Sequence, residues 1–295
     1  VADMRRWLTG MCHPDGQIAF FNDAAFKIGP EPSELEYYAE RLTMRRTERQ
    51  VIESGTELEI FSASGYASAK VGTLALFFDC GAVGPDYLPG HAHADTLSFE
   101  LSWHGQRVIG NSGTSRYGLG DRRTWERSTA AHNTVSVDGQ DSSEVWSGFR
   151  VARRARPLEF RAEKLGDSLR LRCGHDGFTR LSGKPIHRRT IELIDQKVVW
   201  RDEISGRGHH RLTGYIPIHP EVAVEQIDRR RCRLSLSSGQ LLILSSESGP
   251  EFSIQEGWYS PEFGKTFRRQ VVTWQCEGSL PLDATFCLSE NLGQP

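Results

Sequence analysis

The sequence lacks any long apolar run. No stretch of its 295 residues approaches the ~18 consecutive apolar residues that a membrane-spanning helix needs, so we predict no transmembrane segment. The first ten residues, VADMRRWLTG, have the pattern of neither a signal nor a transit peptide. We expect that an upstream segment has been removed, so an export signal would not be visible.

Paired cysteines and a strong net charge are also lacking. The six cysteines lie far apart without a C-x-x-C pair, a pattern that suggests neither a disulfide framework nor a thiolate zinc site. The net charge of −2 argues against a nucleic-acid partner. Nine arginines and five acids lie between residues 107 and 156, a local excess of four positive charges. This excess suits a carboxylate or sulfate ligand, although a solvated basic face is an equal alternative.

Apolar periodicity divides the chain into a helical start and a β region. Met4, Trp7, Leu8 and Met11 follow helical spacing, and a second helix is predicted around Leu35. From about residue 52 the period changes to two, with many short strands separated by turns. We therefore predict a mainly β protein, a large antiparallel two-layer β-sandwich at 51–295 after a helical segment at 1–50. A lesser boundary is predicted near residue 220.

Polar residues at strand ends form the main candidate site. His91, His93 and Asp95 alternate, so they would project from one face if the segment were extended. Asn111 ends a later strand-like run and His132 begins another. Zinc binds imidazole nitrogen and carboxylate oxygen, which makes His93 and His132 candidate ligands with Asn111 or Asp95 as the third. Hydrogen bonding within a buried turn is the structural alternative.

Four segments carry a resemblance to a known family. HAHADTLSFEL, VIGNSGTSRYG, RSTAAHNTVSVDGQ and VWSGFRVARRARP resemble the C-terminal β-sandwich of the heparinase II/III-like polysaccharide lyases. The helical start with HPDGQIAFFNDAA resembles the end of the (α/α) toroid that precedes that sandwich. The resemblance implies β-elimination on a uronate-containing anionic glycan, heparan- or alginate-like.

The resemblance also implies roles for individual residues. His91 would face the substrate, and His93 and His132 would bind a structural zinc ion. Asn111 would stand where the family has an aspartate ligand. Tyr117 would contact the substrate, with Arg123 and Arg127 of the arginine-rich region as further substrate-binding residues.

The resemblance leaves several questions of function open. Most of the toroid and its catalytic tyrosine are missing, and nothing marks Tyr37 or Tyr38 for that role. We therefore expect this chain to be inactive without its N-terminal toroid. A uronyl C5-epimerase and a non-catalytic glycan-binding β-sandwich remain alternatives. The resemblance favours a periplasmic or secreted location in a bacterium. A homodimer is possible.

Overall fold

The computed structural model describes residues 1–42 and 55–290. Two helices, α1 (Ala2–Gly10) and α2 (Pro32–Arg41), lie in the first segment and are joined by a loop. A short helix, α3 (Asp121–Arg127), and two 3-10 turns, Pro89–His91 and Thr129–Ala131, interrupt the β region. None of the helices in these two segments is long and apolar enough to cross a membrane.

Residues 55–290 form four antiparallel sheets. The first sheet has the strand order β1-β2-β3-β4-β5, with Thr56–Phe61, Tyr66–Val71, Leu74–Asp79, Phe99–Trp103 and Gln106–Ile109. The largest has the order β14-β15-β16-β19-β12-β11-β10-β9, with Ala223–Asp228, Arg231–Ser235, Leu241–Ser248, Leu282–Glu290, Lys197–Ser205, Ile186–Ile194, Ser168–His175 and Pro157–Leu165. A four-stranded sheet has the order β17-β18-β13-β6, with Phe252–Tyr259, Phe267–Ser279, His209–Pro217 and Val135–Val137. The last pairs β7 (Val145–Trp146) with β8 (Arg150–Val151).

One hydrophobic core joins the three larger sheets. On β11 and β12 the buried and half-buried positions alternate, as expected for strands with one face on a core. Phe99 of the first sheet, Trp200 of the largest and Trp274 of the four-stranded sheet are all buried in that core. The predicted large antiparallel sandwich is therefore confirmed.

The helical start packs on the outer face of the first sheet. Both faces of β3 are buried, because Phe77 packs outward against Met11 and Phe21 while its neighbours face the main core. The predicted boundary near residue 50 lies outside the described residues. The largest sheet contains strands from both sides of the predicted boundary near residue 220. β12 precedes that residue and β16 follows it, and both pair with β19. The domain limits stay a prediction.

Candidate functional site

His91 lies in a 3-10 turn rather than on a strand. The side chain is 58% exposed, whereas His93 and Asp95 are buried. The condition for a shared face, an extended segment from His91 onward, is not met, because Pro89–His91 forms a turn and β4 begins only at Phe99. The alternation still brings His91 and His93 to one acceptor, Asp23. His91 Nδ1 lies 2.9 Å from Asp23 Oδ2, and His93 Nε2 lies 2.7 Å from Asp23 Oδ1.

Asp23 is the centre of this arrangement. It belongs to the loop between α1 and α2 and is almost completely buried. The guanidinium of Arg123 donates to both of its carboxylate oxygens, with Nη2 at 2.7 Å from Oδ2. Burial alone would raise the pKa of Asp23, but the hydrogen bonds from His93 and Arg123 outweigh it and hold the pKa well below its usual range. Asp23 is therefore ionised and fixes two histidines and one arginine.

The hydrogen bonds of His93 and His132 determine which ring nitrogens carry protons. His132 Nδ1 lies 2.7 Å from the Ser128 carbonyl oxygen, which can only accept, so this nitrogen is protonated. By the same reasoning His93 Nε2 donates to Asp23. In the neutral rings the lone pairs of His93 Nδ1 and His132 Nε2 then face each other at 3.1 Å. Burial lowers the pKa of His132 to about 4, so the pair is suited to a cation between its nitrogens.

A carboxylate completes this set of metal-binding atoms. Asp95 is buried, and one donor atom each from His93, Asp95 and His132 lies within 4.8 Å of the others. Two nitrogens on a tetrahedral zinc stand roughly 3.3 Å apart, given zinc–nitrogen bonds of about 2.0–2.1 Å. The 3.1 Å between the two imidazoles is close to that value. The residues present therefore fit a zinc ion held by two histidines and an aspartate.

Asn111 has hydrogen-bond partners of its own. Its Nδ2 donates to the Phe20 carbonyl at 2.7 Å, and its Oδ1 accepts the backbone N–H of Asn133 at 3.2 Å. The side chain thereby ties the N-terminal loop to the segment that carries His132. The carboxylate grouped with the possible metal-binding atoms of His93 and His132 is that of Asp95, and Asn111 as the third ligand remains a prediction.

Arg123 and Arg127 lie beneath the surface, both fully buried. Arg127 donates to the carbonyl oxygen of Ala92 through Nε and Nη2, at 3.1 and 2.9 Å. Arg123 donates to Asp23 and to the Gly148 carbonyl. Both side chains thus hold the loop that carries His91 and His93. A direct contact with substrate stays a prediction that this placement does not favour.

Exposed aromatic side chains surround His91. Tyr117 is 43% exposed, and its ring centroid lies 5.7 Å from that of His91. Phe149 and Phe263 lie 5.2 and 4.9 Å from the Tyr117 ring. We call Tyr117, Phe149 and Phe263 the aromatic rim. Such faces can stack on sugar rings. The substrate contact of Tyr117 remains a prediction.

The sequence did not identify Asp23, Phe149 or Phe263 as site residues. Asp23 stands in an apolar loop, FFNDAAF, and an acid among buried aromatic residues is the signal that marks it, since buried acids are usually paired. Phe149 lies within the VWSGFRV segment that carries the resemblance. No local pattern distinguishes Phe263 from a core residue.

His187 forms a second buried histidine pair with His175, with His187 Nδ1 at 3.3 Å from His175 Nε2. His187 Nε2 lies 2.7 Å from Asp202 Oδ1, and Arg189 binds both oxygens of that carboxylate. Arg189 Nη1 also donates to the carbonyl oxygens of Leu97 and Asn133, at 2.8 and 2.5 Å. These carbonyls belong to the segments that follow His93 and His132, so this buried network fixes both.

Stability should fall as the pH decreases from neutral toward 4. Burial lowers the pKa values of His132 and His219 to about 4, against ~6.5 in an unfolded chain. Between those pH values the unfolded state binds more protons than the folded state. The stability that the two neutral histidines contribute is therefore complete above about pH 6.5 and is lost as the pH approaches 4. We expect a loss on the order of 3 kcal/mol from His132 alone. Urea unfolding with a chelator, at about pH 7 and 4.5, measures it; equal free energies of unfolding would contradict the account.

Comparison with known proteins identifies the family. A model of the heparinase II/III-like C-terminal region matches residues 53–279. The chain belongs to the heparinase II/III-like family. The matched residues include His91, His93 and His132, whereas Asp23 lies upstream of them.

Solved structures show the same fold. A heparinase III gene product aligns with 98% of this chain at 18% identity and a TM-score of 0.76. Heparan sulfate lyase HepC from Pedobacter heparinus aligns with 100% of it at 15% identity and a TM-score of 0.77. A further heparinase III aligns with 97% at 16% identity and a TM-score of 0.75. No curated protein matches the chain.

The chain spans about half the length of these solved lyases. The aligned portion covers 46% of the heparinase III gene product and 47% of the HepC chain. The similarity at these identities concerns the fold alone.

Proposed function

We propose that the chain is the C-terminal part of a polysaccharide lyase that cleaves a uronate-containing anionic glycan by β-elimination. Membership of the heparinase II/III-like family supports this function, as do neighbours named as heparinase III and heparan sulfate lyase. The observation that carries it is the exposed His91, held by an ionised Asp23 that also holds the buried His93. An N-terminal toroid would supply the remaining catalytic groups.

The chemistry requires charge stabilisation and proton transfer. The C5 proton of a uronate is weakly acidic, because the neighbouring carboxylate already carries negative charge. Donors that neutralise this carboxylate stabilise the enolate-like transition state, often the largest catalytic contribution. His91 Nδ1 donates to Asp23, which fixes the tautomer and leaves Nε2 at the exposed end of the ring. We propose that Nε2 accepts the C5 proton or, when it is itself protonated, donates a hydrogen bond to the uronate carboxylate.

We propose that His93, His132 and Asp95 hold a structural zinc ion. A bound zinc would supply a fixed cross-link between the segments of these residues, and so keep the loop of His91 in place. Asp23 would then act as the hydrogen-bond acceptor that orients His93, as carboxylates commonly do for metal-binding histidines. The periplasmic or secreted location and the homodimer stay predictions.

Metal content tests the zinc site independently of activity. We expect about one zinc per chain by elemental analysis, and loss of it in His132→Ala and Asp95→Asn. Asn111→Asp should leave the content unchanged, because Asn111 Oδ1 is engaged by Asn133. The exposed His209, changed to alanine, is the matched control. Metal-free wild-type protein after growth with zinc, or equal zinc in all variants, would contradict the site.

A further inference from the structure

Three arginines and two tryptophans form a cluster next to the aromatic rim. The guanidinium carbons of Arg122 and Arg268 lie over the Trp258 ring, 4.0 and 4.3 Å from its centroid. Arg122 also lies 6.0 Å from the Trp125 centroid. The third arginine, Arg116, acts on Arg122 electrostatically. We call these five residues the arginine–tryptophan cluster.

Local structure explains how these side chains meet. Arg122 and Trp125 are three residues apart on α3, which puts them on one face of the helix. Trp258 of β17 lies directly opposite Arg268 of β18 in the strand register. Arg116 packs over Gly120, the residue before α3, where a Cβ would lie 3.0 Å from Arg116 Nη2. Three separate segments therefore present their guanidinium groups together.

The positive charge of the cluster is poorly compensated. Arg268 forms an ion pair with Glu256, but within residues 1–42 and 55–290 neither Arg116 nor Arg122 has an acidic partner at ion-pair distance. Glu126 is buried, and its Oε1 accepts from the Ser115 N–H and the Ser260 hydroxyl. Burial lowers the pKa of Arg122, and the charges of Arg116 and Arg268 lower it further against the opposing effect of Glu126. An anion placed here would relieve this repulsion.

One polar atom of the cluster also lacks an acceptor. Arg122 Nη1 is buried and has no hydrogen-bond partner in the described part of the chain. The indole of Trp258 stabilises the guanidinium by a cation–π interaction, but an aromatic face does not replace the two parallel hydrogen bonds that a guanidinium makes with an oxyanion. Because both arginines already cover Trp258, its ring holds the guanidiniums in place and is not a free surface for sugar stacking.

Two residues of the cluster are chain neighbours of residues in the site that contains His91. Arg116 directly precedes Tyr117, whose ring lies 5.7 Å from His91. Arg122 directly precedes Arg123, whose guanidinium lies 5.2 Å from the Tyr117 centroid. A chain of sugar units bound at His91 and crossing the aromatic rim would therefore bring its next acidic group to these arginines.

We propose that the arginine–tryptophan cluster is a second oxyanion subsite, which binds the carboxylate or sulfate of a sugar unit adjoining the one at His91. The assignment rests on the proposed function, because it takes the ligand in the cleft to be an anionic glycan. Arg116 and Arg122 bind the oxyanion, and Trp258 and Arg268 position Arg122. The subsite selects glycans with acidic groups on neighbouring units over those with one isolated acid.

Binding by the intact protein with its N-terminal region tests the subsite. Calorimetric titrations at low salt would use an unsulfated uronate oligosaccharide and a sulfated heparin-type oligosaccharide of equal length, in a His91→Ala background that prevents cleavage. We expect Arg116→Gln/Arg122→Gln to weaken binding about 10- to 100-fold, since each lost charged hydrogen bond is worth about tenfold. Arg229→Gln/Arg230→Gln, which removes two exposed charges from a distant turn, should change it less than threefold.

The two ligands and a separate activity assay distinguish the outcomes. Equal losses for both ligands indicate a carboxylate, whereas a loss confined to the sulfated ligand indicates a sulfate. Equal effects of the two double variants, or no binding by the parent protein, overturn the subsite. If the otherwise wild-type enzyme forms unsaturated product and Arg116→Gln/Arg122→Gln leaves its KM unchanged, the subsite fails and the lyase stands. If binding weakens as expected but no glycan yields product, the lyase fails and the subsite stands.

Discussion

Replacing His91 by alanine in the intact enzyme is expected to lower kcat by about 10²–10⁴-fold, the usual contribution of a positioned acid or base. His91 is exposed at 58% and makes one hydrogen bond, to Asp23 Oδ2. After its removal that oxygen still accepts the hydrogen bond from Arg123 Nη2, so the change strands no buried polar atom of Asp23. Unfolding should therefore be little changed while turnover falls. Kinetics of unsaturated product formation, together with a urea unfolding curve, measure both quantities.

A matched histidine variant separates this effect from a general loss of charge. His209 is also exposed, at 61%, and lies opposite Ser279 on the four-stranded sheet. His209→Ala should retain wild-type kcat and KM. Similar activity in both variants would show that His91 takes no part in the reaction.

Replacing Asp23 by asparagine is expected to destabilise the protein by about 3–5 kcal/mol, the cost of leaving a buried charge without its partner. Arg123 is fully buried and depends on Asp23 for two of its hydrogen bonds. The same change replaces one of the two acceptor oxygens that His91 and His93 use with an NH2 donor, so zinc content and activity should fall as well. Denaturant unfolding measures the stability of the variant.

Two further variants test this interpretation of Asp23. Arg123→Met in the Asp23→Asn background removes the stranded charge, so it should recover part of the lost stability. Asp86→Asn is the matched control, because Asp86 pairs with Arg154 but is 97% exposed; such a pair is worth about 0–1 kcal/mol. Equal losses in Asp23→Asn and Asp86→Asn would show that the buried network does not stabilise the fold.

The architecture could be predicted because it depends on a local pattern. Strands such as β11 and β12 bury every second residue in one core, and that alternation is visible in the sequence. The resemblance to known sequences predicted that His93 and His132 lie together. The distance of 3.1 Å between His93 Nδ1 and His132 Nε2 agrees with that prediction. Periodicity alone does not bring together two residues that lie 39 positions apart.

The remaining features of the site depend on contacts between distant residues. Asp23 reaches His91 and His93 across 68 and 70 positions of the chain, and no spacing rule connects them. Arg123 and Arg127 belong to a basic region that suggests a surface for anions, yet carbonyl oxygens and Asp23 engage both in the interior. The uncompensated charge instead belongs to Arg116 and Arg122, which only the packing of α3 against β17 reveals.

The most direct test of the proposed lyase is the ultraviolet absorbance of unsaturated uronate formed by the intact protein. Wild-type enzyme and the His91→Ala variant would be incubated with heparan-, alginate- and hyaluronan-type glycans. We expect absorbance to rise with the wild-type enzyme on at least one of these glycans and the rise to be nearly abolished by the substitution. No unsaturated product from any of them, or undiminished product from His91→Ala, would contradict the proposed lyase; exchange of solvent hydrogen at C5 without cleavage would indicate an epimerase instead.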